Sequence, residues 1–196
     1  MFHTVRQIRS IRRSVTRSTL SKFISSFVVS KLDCCNVALA GLPSCDLDRL
    51  QSVISAAARL TVGAQRHDHI TPLFADLHWL RIPQRIQYKL CVLVYQCVQG
   101  SAPSNLQNTI CPVASAESRR RLRSVSSADL IVPATRRTTM GDRAVAAPRA
   151  WNSLPDAIRH SPYLAVFKRS LKTHFYIQCF YYHCFLLLLA RAPLTL

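Results

Sequence analysis

The sequence predicts a mainly α protein: small helical bundles joined by an Arg/Ser/Pro-rich loop segment, with little or no sheet. Two observations lead there. Apolar residues recur three and four positions apart along most of the chain, the spacing that lines one face of a helix. The breaks between these stretches fall at Gly and Pro, as in Gly41-Leu42-Pro43, Pro83 and Gly100. The chain has 196 residues, 49% of them hydrophobic, which is enough to build a core and excludes a fully disordered polymer.

Residues 4–32 read as one helical stretch. Val5, Ile8, Ile11 and Val15 form an apolar face, and Arg6, Arg9, Arg13 and Arg17 point nearly opposite. Arg12 intrudes at the core edge. A second apolar stripe follows at Leu20, Phe23, Ile24, Phe27 and Val28. The next helix runs from about Ser44 to Val62. Ser44 serves as its cap, Asp46 and Asp48 suit its positive N-terminal end, and Arg59 and Gly63 suit its C-terminal end. Thr71 and Pro72 open a short helix that continues to Leu77. Pro83 begins another, with Ile82, Ile86, Leu90, Leu93 and Cys97 inward and Gly100 as its end. His78 beside Trp79 reads as a packed tryptophan with a hydrogen-bonded histidine.

The character changes over 112–148, where Ser is frequent and Pro112, Pro133 and Pro148 interrupt. Arg119, Arg120, Arg121 and Arg123 form a charge run there. One short strand is expected at Leu130–Val132. Helices resume over 149–174, with Trp151, Leu154 and Ile158 as one apolar set and Leu164, Phe167 and Leu171 as the next. The predicted divisions are therefore 1–63, 64–111, 112–148, 149–174 and an apolar tail, 175–196. Within that tail, 175–190 lacks any charged side chain but falls short of the roughly 20 residues that span a bilayer. It reads as a buried terminal helix, as sequence beyond a natural end, or as a tail anchor.

Charge carries most of the functional information. Lys and Arg total 26 against 9 Asp and Glu, a net charge of +17, and 21 of the 26 are Arg. Arginine's planar fork pairs bidentately with phosphate and stacks on bases, so a polyanion partner is expected. GC-rich coding sequence enriches Arg as well. The face formed by Arg6, Arg9, Arg13 and Arg17 is either a phosphate-tracking surface or a solvated one. A solvated face is the usual outcome for a charge run, and the absence of interspersed acids brings the two readings level, because repulsion among the arginines is relieved by an anion.

Chemistry that would mark an enzyme is not visible. Apart from Asp46 and Asp48 at a helix start, the carboxylates are scattered. There is no phosphate-cradling glycine loop and no Ser–His or Cys–His relay, so no catalytic residue is assigned. The eight cysteines include no C-x-x-C pair, and neither His67/His69 nor Cys179/His183/Cys184 has zinc spacing, so no metal and no cofactor is expected. Basic residues near the start precede no apolar signal run, which places the chain in the cytoplasm or nucleus, not secreted, with reduced thiols.

Three blocks of sequence, in order, carry a resemblance. The first is SKLDCCN (30–36) running into LAGLP (39–43), with LQ (50–51) and AAARL (56–60). The second is HITPL (69–73), then LHWL (77–80), RI (85–86) and YKL (88–90). The third is VP (132–133), Arg136, Arg137 and Thr138, GDR (141–143), PRAWNSLP (148–155), FK (167–168) and LK (171–172). Over about residues 5–174 the chain resembles the C-terminal, thumb and post-polymerase region of LINE-type (non-LTR) retrotransposon reverse transcriptases. Cys34, where the family usually has Tyr, and the tail beyond Phe175 depart from its pattern.

The resemblance implies an origin in an RNA-directed DNA polymerase whose palm, with its metal-binding aspartates, has no counterpart in these residues. It implies a non-catalytic fragment that holds RNA or an RNA/DNA duplex through basic helices. The residues expected to do so are Arg6, Arg9, Arg13, Arg17, Arg119, Arg120, Arg121 and Arg123. Without the palm, uncovered apolar faces favour self-association. Two other readings fit the same residues: a relic open reading frame without a stable product, and a basic, tail-anchored membrane protein.

Overall fold

A computed structural model describes residues 2–34, 36–113, 129–134 and 138–191, with the side chains of 138–144 and 181–191 outside the description. The protein is mainly helical, as the sequence predicts, and no strand occurs among the described residues. The expected strand at Leu130–Val132 is instead a single antiparallel bridge between Pro112 and Leu130. The helices are α1 (Phe2–Ser10), α2 (Arg17–Ile24), α3 (Ser30–Cys34), α4 (Ser44–Val62), α5 (Ile70–Asp76), α6 (Ile82–Val98), α7 (Ser104–Gln107), α8 (Thr138–Asn152), α9 (Asp156–Arg159) and α10 (Leu164–Arg191).

The expected continuous helix over 4–32 is broken. α1 ends at Ser10, a 3-10 turn covers Arg12–Ser14, and Val15 is extended at φ −126° and ψ 150°. Thr16 then caps α2 by accepting the Thr19 N–H at 3.3 Å. A capped hydroxyl and a β-branched neighbour stop the helix where the apolar period alone would carry it on. Ile11, expected on the inner face, is 42% exposed as a result. Further along, Leu20, Ile24, Val28 and Leu32 are all buried, four residues apart. That period is wider than an α-helical turn. A π-turn at Ser25–Val29, with its i→i+5 bond from the Ser30 N–H to the Ser25 carbonyl, brings the stripe back into line.

The chain forms two compact units. The first comprises 1–36, 43–85 and 175–196. In it α4 packs on α1, α2 and α5. Ala57 and Ala58, both fully buried, let the neighbouring backbones approach closely, and Ile24, Ile54 and Phe74 fill the core beside them. The expected limits of α4 hold, except that Pro43 occupies the cap and Ser44 is already helical. Likewise α5 begins at Ile70, one residue before Thr71. Gln51 accepts the Ile82 N–H at 2.9 Å, satisfying a donor that the start of α6 leaves without a partner. Trp79 meets Phe74 edge-on at 6.4 Å. His78, exposed and at φ +53°, lies against the Tyr176 ring at 5.6 Å instead of being a hydrogen-bonded core residue. Phe175 and Phe180, at the start of the apolar tail, are buried.

The second unit comprises 37–42 and 86–174. Phe167 sits at its centre, stacked on Tyr95 at 4.3 Å and tilted against Trp151 at 5.9 Å. The Tyr95 hydroxyl donates to the Ser161 carbonyl at 2.8 Å. Asn152 binds both backbone groups of Leu130 at 2.9 Å, acting as a strand edge would. Arg159, whose side chain is 7% exposed, pairs with Asp129 and Asp156. α8 starts at Thr138, inside the stretch read from sequence as a linker, and carries Pro148 within it.

Candidate nucleic-acid interface

Five arginines of the first unit line one cavity. α1 contributes Arg6 and Arg9, the following 3-10 turn contributes Arg12, α4 contributes Arg59, and the loop after α4 contributes Arg66. The cavity has a volume of about 910 Å³. Among the described residues, Asp48, in the first turns of α4, is the one carboxylate on its wall, and Gln51, Ser52 and Ser55 line it along the same helix.

Local structure explains how these side chains meet. Val5 and Ile8, 8% and 5% exposed, anchor α1 with its inner face on the core, so Arg6 and Arg9 are left facing solvent. The 3-10 turn redirects the chain and lays the Arg12 guanidinium over Gly63. A Cβ built on Gly63 would lie 2.6 Å from Arg12 Nη2. Gly63 itself ends α4 at φ +88°, a left-handed conformation that glycine adopts without strain. Arg12 therefore lies close to the C-terminal, negative end of α4, where a cation is favoured. Asp68 holds the following loop by accepting the Gln65 N–H at 2.5 Å, and its carbonyl accepts from Arg59 Nη2 at 3.3 Å. Arg59 Nε is buried and has no hydrogen-bond partner among the described residues.

Among the described residues, Arg6, Arg9, Arg12, Arg13, Arg17 and Arg66 form no ion pair. Other arginines are paired, Arg49 with Asp46, Arg85 with Asp33 and Arg159 with Asp129 and Asp156, whereas Arg81 and Arg169 also form no ion pair among the described residues. The contrast is chemical. Guanidinium groups that share a cavity without ion-pair partners repel one another and present many N–H donors toward the same space, which an oxyanion would satisfy.

Arg6 and Arg9 stand on the cavity wall. Arg13 and Arg17 are exposed but lie outside the lining, because the break after Ser10 takes them off the α1 face. Arg119, Arg120, Arg121 and Arg123 fall outside the described residues. Arg12, expected at the core edge, is exposed and joins the cluster, as do Arg59 and Arg66, which the helical period did not single out. Thr16 as a cap was the available signal for the turn that frees Arg12. The meeting of residues 6–12 with 59–66 is a long-range event that no local pattern encodes.

Among the described residues, no group of three or more His, Cys, Asp or Glu side chains could hold a metal ion, and no helix is long and apolar enough to cross a membrane. Compared with protein-family models, curated proteins and solved structures, the chain matches none.

Proposed function

We propose that this chain is the thumb and post-polymerase part of a LINE-type non-LTR reverse transcriptase, non-catalytic by itself, which binds RNA or an RNA/DNA duplex through its basic helical surface. Support for the origin comes from the three ordered sequence blocks, with which a mainly helical architecture agrees. Support for the binding comes chiefly from one observation: among the described residues, five arginines face a common cavity against a single carboxylate. Arg6 and Arg9 contact phosphate first, Arg12, Arg59 and Arg66 extend that contact, and Arg13 and Arg17 add charge nearby. These groups recognise the backbone and not base edges, so binding depends little on sequence.

The test is titration of the full chain with a fluorescent hairpin RNA, with circular dichroism on the same sample. Four phosphate contacts correspond to an affinity falling about 100-fold between 50 and 200 mM salt. A helical, folded chain whose affinity is unchanged over that range, or which does not bind, overturns the reading. An aggregated product without helical signal overturns it too and favours the relic.

A further inference from the structure

The cavity is more than a stretch of basic surface. A strand that tracks along a helix face meets cations one after another. Here guanidinium groups from three separate segments, α1, the turn after it and the end of α4 with its loop, border one open cavity. Successive phosphates of an extended strand are separated by a sugar, so only one or two enter such a space. Adjacent phosphates joined by anhydride oxygens place their charge within the reach of all five arginines. The volume, about 910 Å³, is in the range of small-ligand sites.

Other features of the wall agree. Gly63 keeps open the place where Arg12 lies, because any side chain there would push the guanidinium away. The Ser55 hydroxyl is at 3.4 Å from Gln51 Nε2, from which it accepts, so its own proton is available to a ligand oxygen. Arg59 Nε is buried beside the cavity without a hydrogen-bond partner among the described residues. Asp48 opposes an anion, which limits affinity and gives the site a residue whose removal should strengthen binding.

We infer that the cavity bordered by Arg6, Arg9, Arg12, Arg59 and Arg66 is a binding pocket for an oligophosphate, a group of two or more directly linked phosphates. The inference rests on the reading of Arg6 and Arg9 as phosphate-binding residues and narrows it to a ligand class. Two sources supply that chemistry: the 5′-triphosphate end of an RNA strand and a free nucleoside triphosphate.

The experiment uses the full chain at constant ionic strength. Sodium tripolyphosphate, orthophosphate and sulfate are titrated by calorimetry. Tripolyphosphate is expected to bind about tenfold or more tighter than either single anion. Arg66→Gln and Arg59→Gln each weaken it about tenfold, and Arg169→Gln, exposed in the second unit, leaves it unchanged. Asp48→Asn tightens it about threefold, a gain that a merely structural role would not produce. Arg66 is exposed, so its variant retains the fold if the Arg59 variant does not.

Two further arms identify the source. A 5′-triphosphate RNA that binds tighter than its 5′-hydroxyl twin, with ATP weak, assigns the strand end. ATP binding as tightly as that RNA assigns the free nucleotide. Either supports the pocket. If RNA binds with strong salt dependence while tripolyphosphate binds no better than orthophosphate, the pocket is wrong and backbone binding stands. If neither RNA nor tripolyphosphate binds, both fail.

Discussion

Arg85 shows what a structural arginine looks like in this chain. Its Nη1 lies 2.9 Å from both Asp33 carboxylate oxygens, and its Nε donates to the Leu80 carbonyl at 2.8 Å. The side chain is 12% exposed and that of Asp33 43%. A mostly buried guanidinium tied to a half-open carboxylate loses a charge-assisted bond when the partner is neutralised. Asp33→Asn should cost about 1–2 kcal/mol, the estimate being lowered for the solvent that reaches Asp33. Urea unfolding measures it, and an unchanged midpoint would show that water already meets the needs of Arg85. Arg6→Gln and Arg9→Gln should leave that midpoint nearly unchanged or raise it, since neither side chain has an ion-pair partner among the described residues.

At the scale of elements, α6 carries three groups whose burial favours the neutral form. Burial pushes the Cys91 thiol up to about 12, and also raises Cys97 and the Tyr88 phenol. In the unfolded chain these groups ionise at their ordinary values, so above pH 9 the unfolded state releases protons that the native state keeps. Stability is full below pH 9 and is lost as pH rises toward about 12. Alkaline unfolding followed by circular dichroism should shift upward in Cys91→Ala relative to its own neutral-pH stability. At pH 8 a thiol reagent should modify the exposed Cys34, Cys45 and Cys111 while sparing Cys91 until the chain unfolds. Rapid modification of Cys91 in the folded chain would mean that α6 opens locally.

Legibility also divides by element. α4 was readable almost to the residue, because an apolar period, acidic residues at its start and Gly63 at its end agree. The break between α1 and α2 was not, because the apolar spacing of Val5, Ile8, Ile11 and Val15 continues across it and hides the cap at Thr16. That one turn reshapes the candidate site. It removes Arg13 and Arg17 from the face of Arg6 and Arg9 and supplies Arg12 in their place. The cavity itself depends on packing between distant segments, and in sequence only the excess of unpaired arginine hinted at it.

For the whole molecule, a net charge of +17 makes association with polyanions steep in salt and makes the compact state self-repelling. A bound polyanion relieves that repulsion, so RNA should raise the thermal midpoint in proportion to its occupancy. The most direct measurement compares the wild-type chain with its Arg6→Gln/Arg9→Gln variant, plotting the logarithm of RNA affinity against the logarithm of salt concentration. Loss of two phosphate contacts should make the variant's slope shallower by roughly 1.4–1.8, with both proteins equally helical. Identical slopes would place the phosphate contacts elsewhere in the chain and contradict the assignment of the α1 arginines.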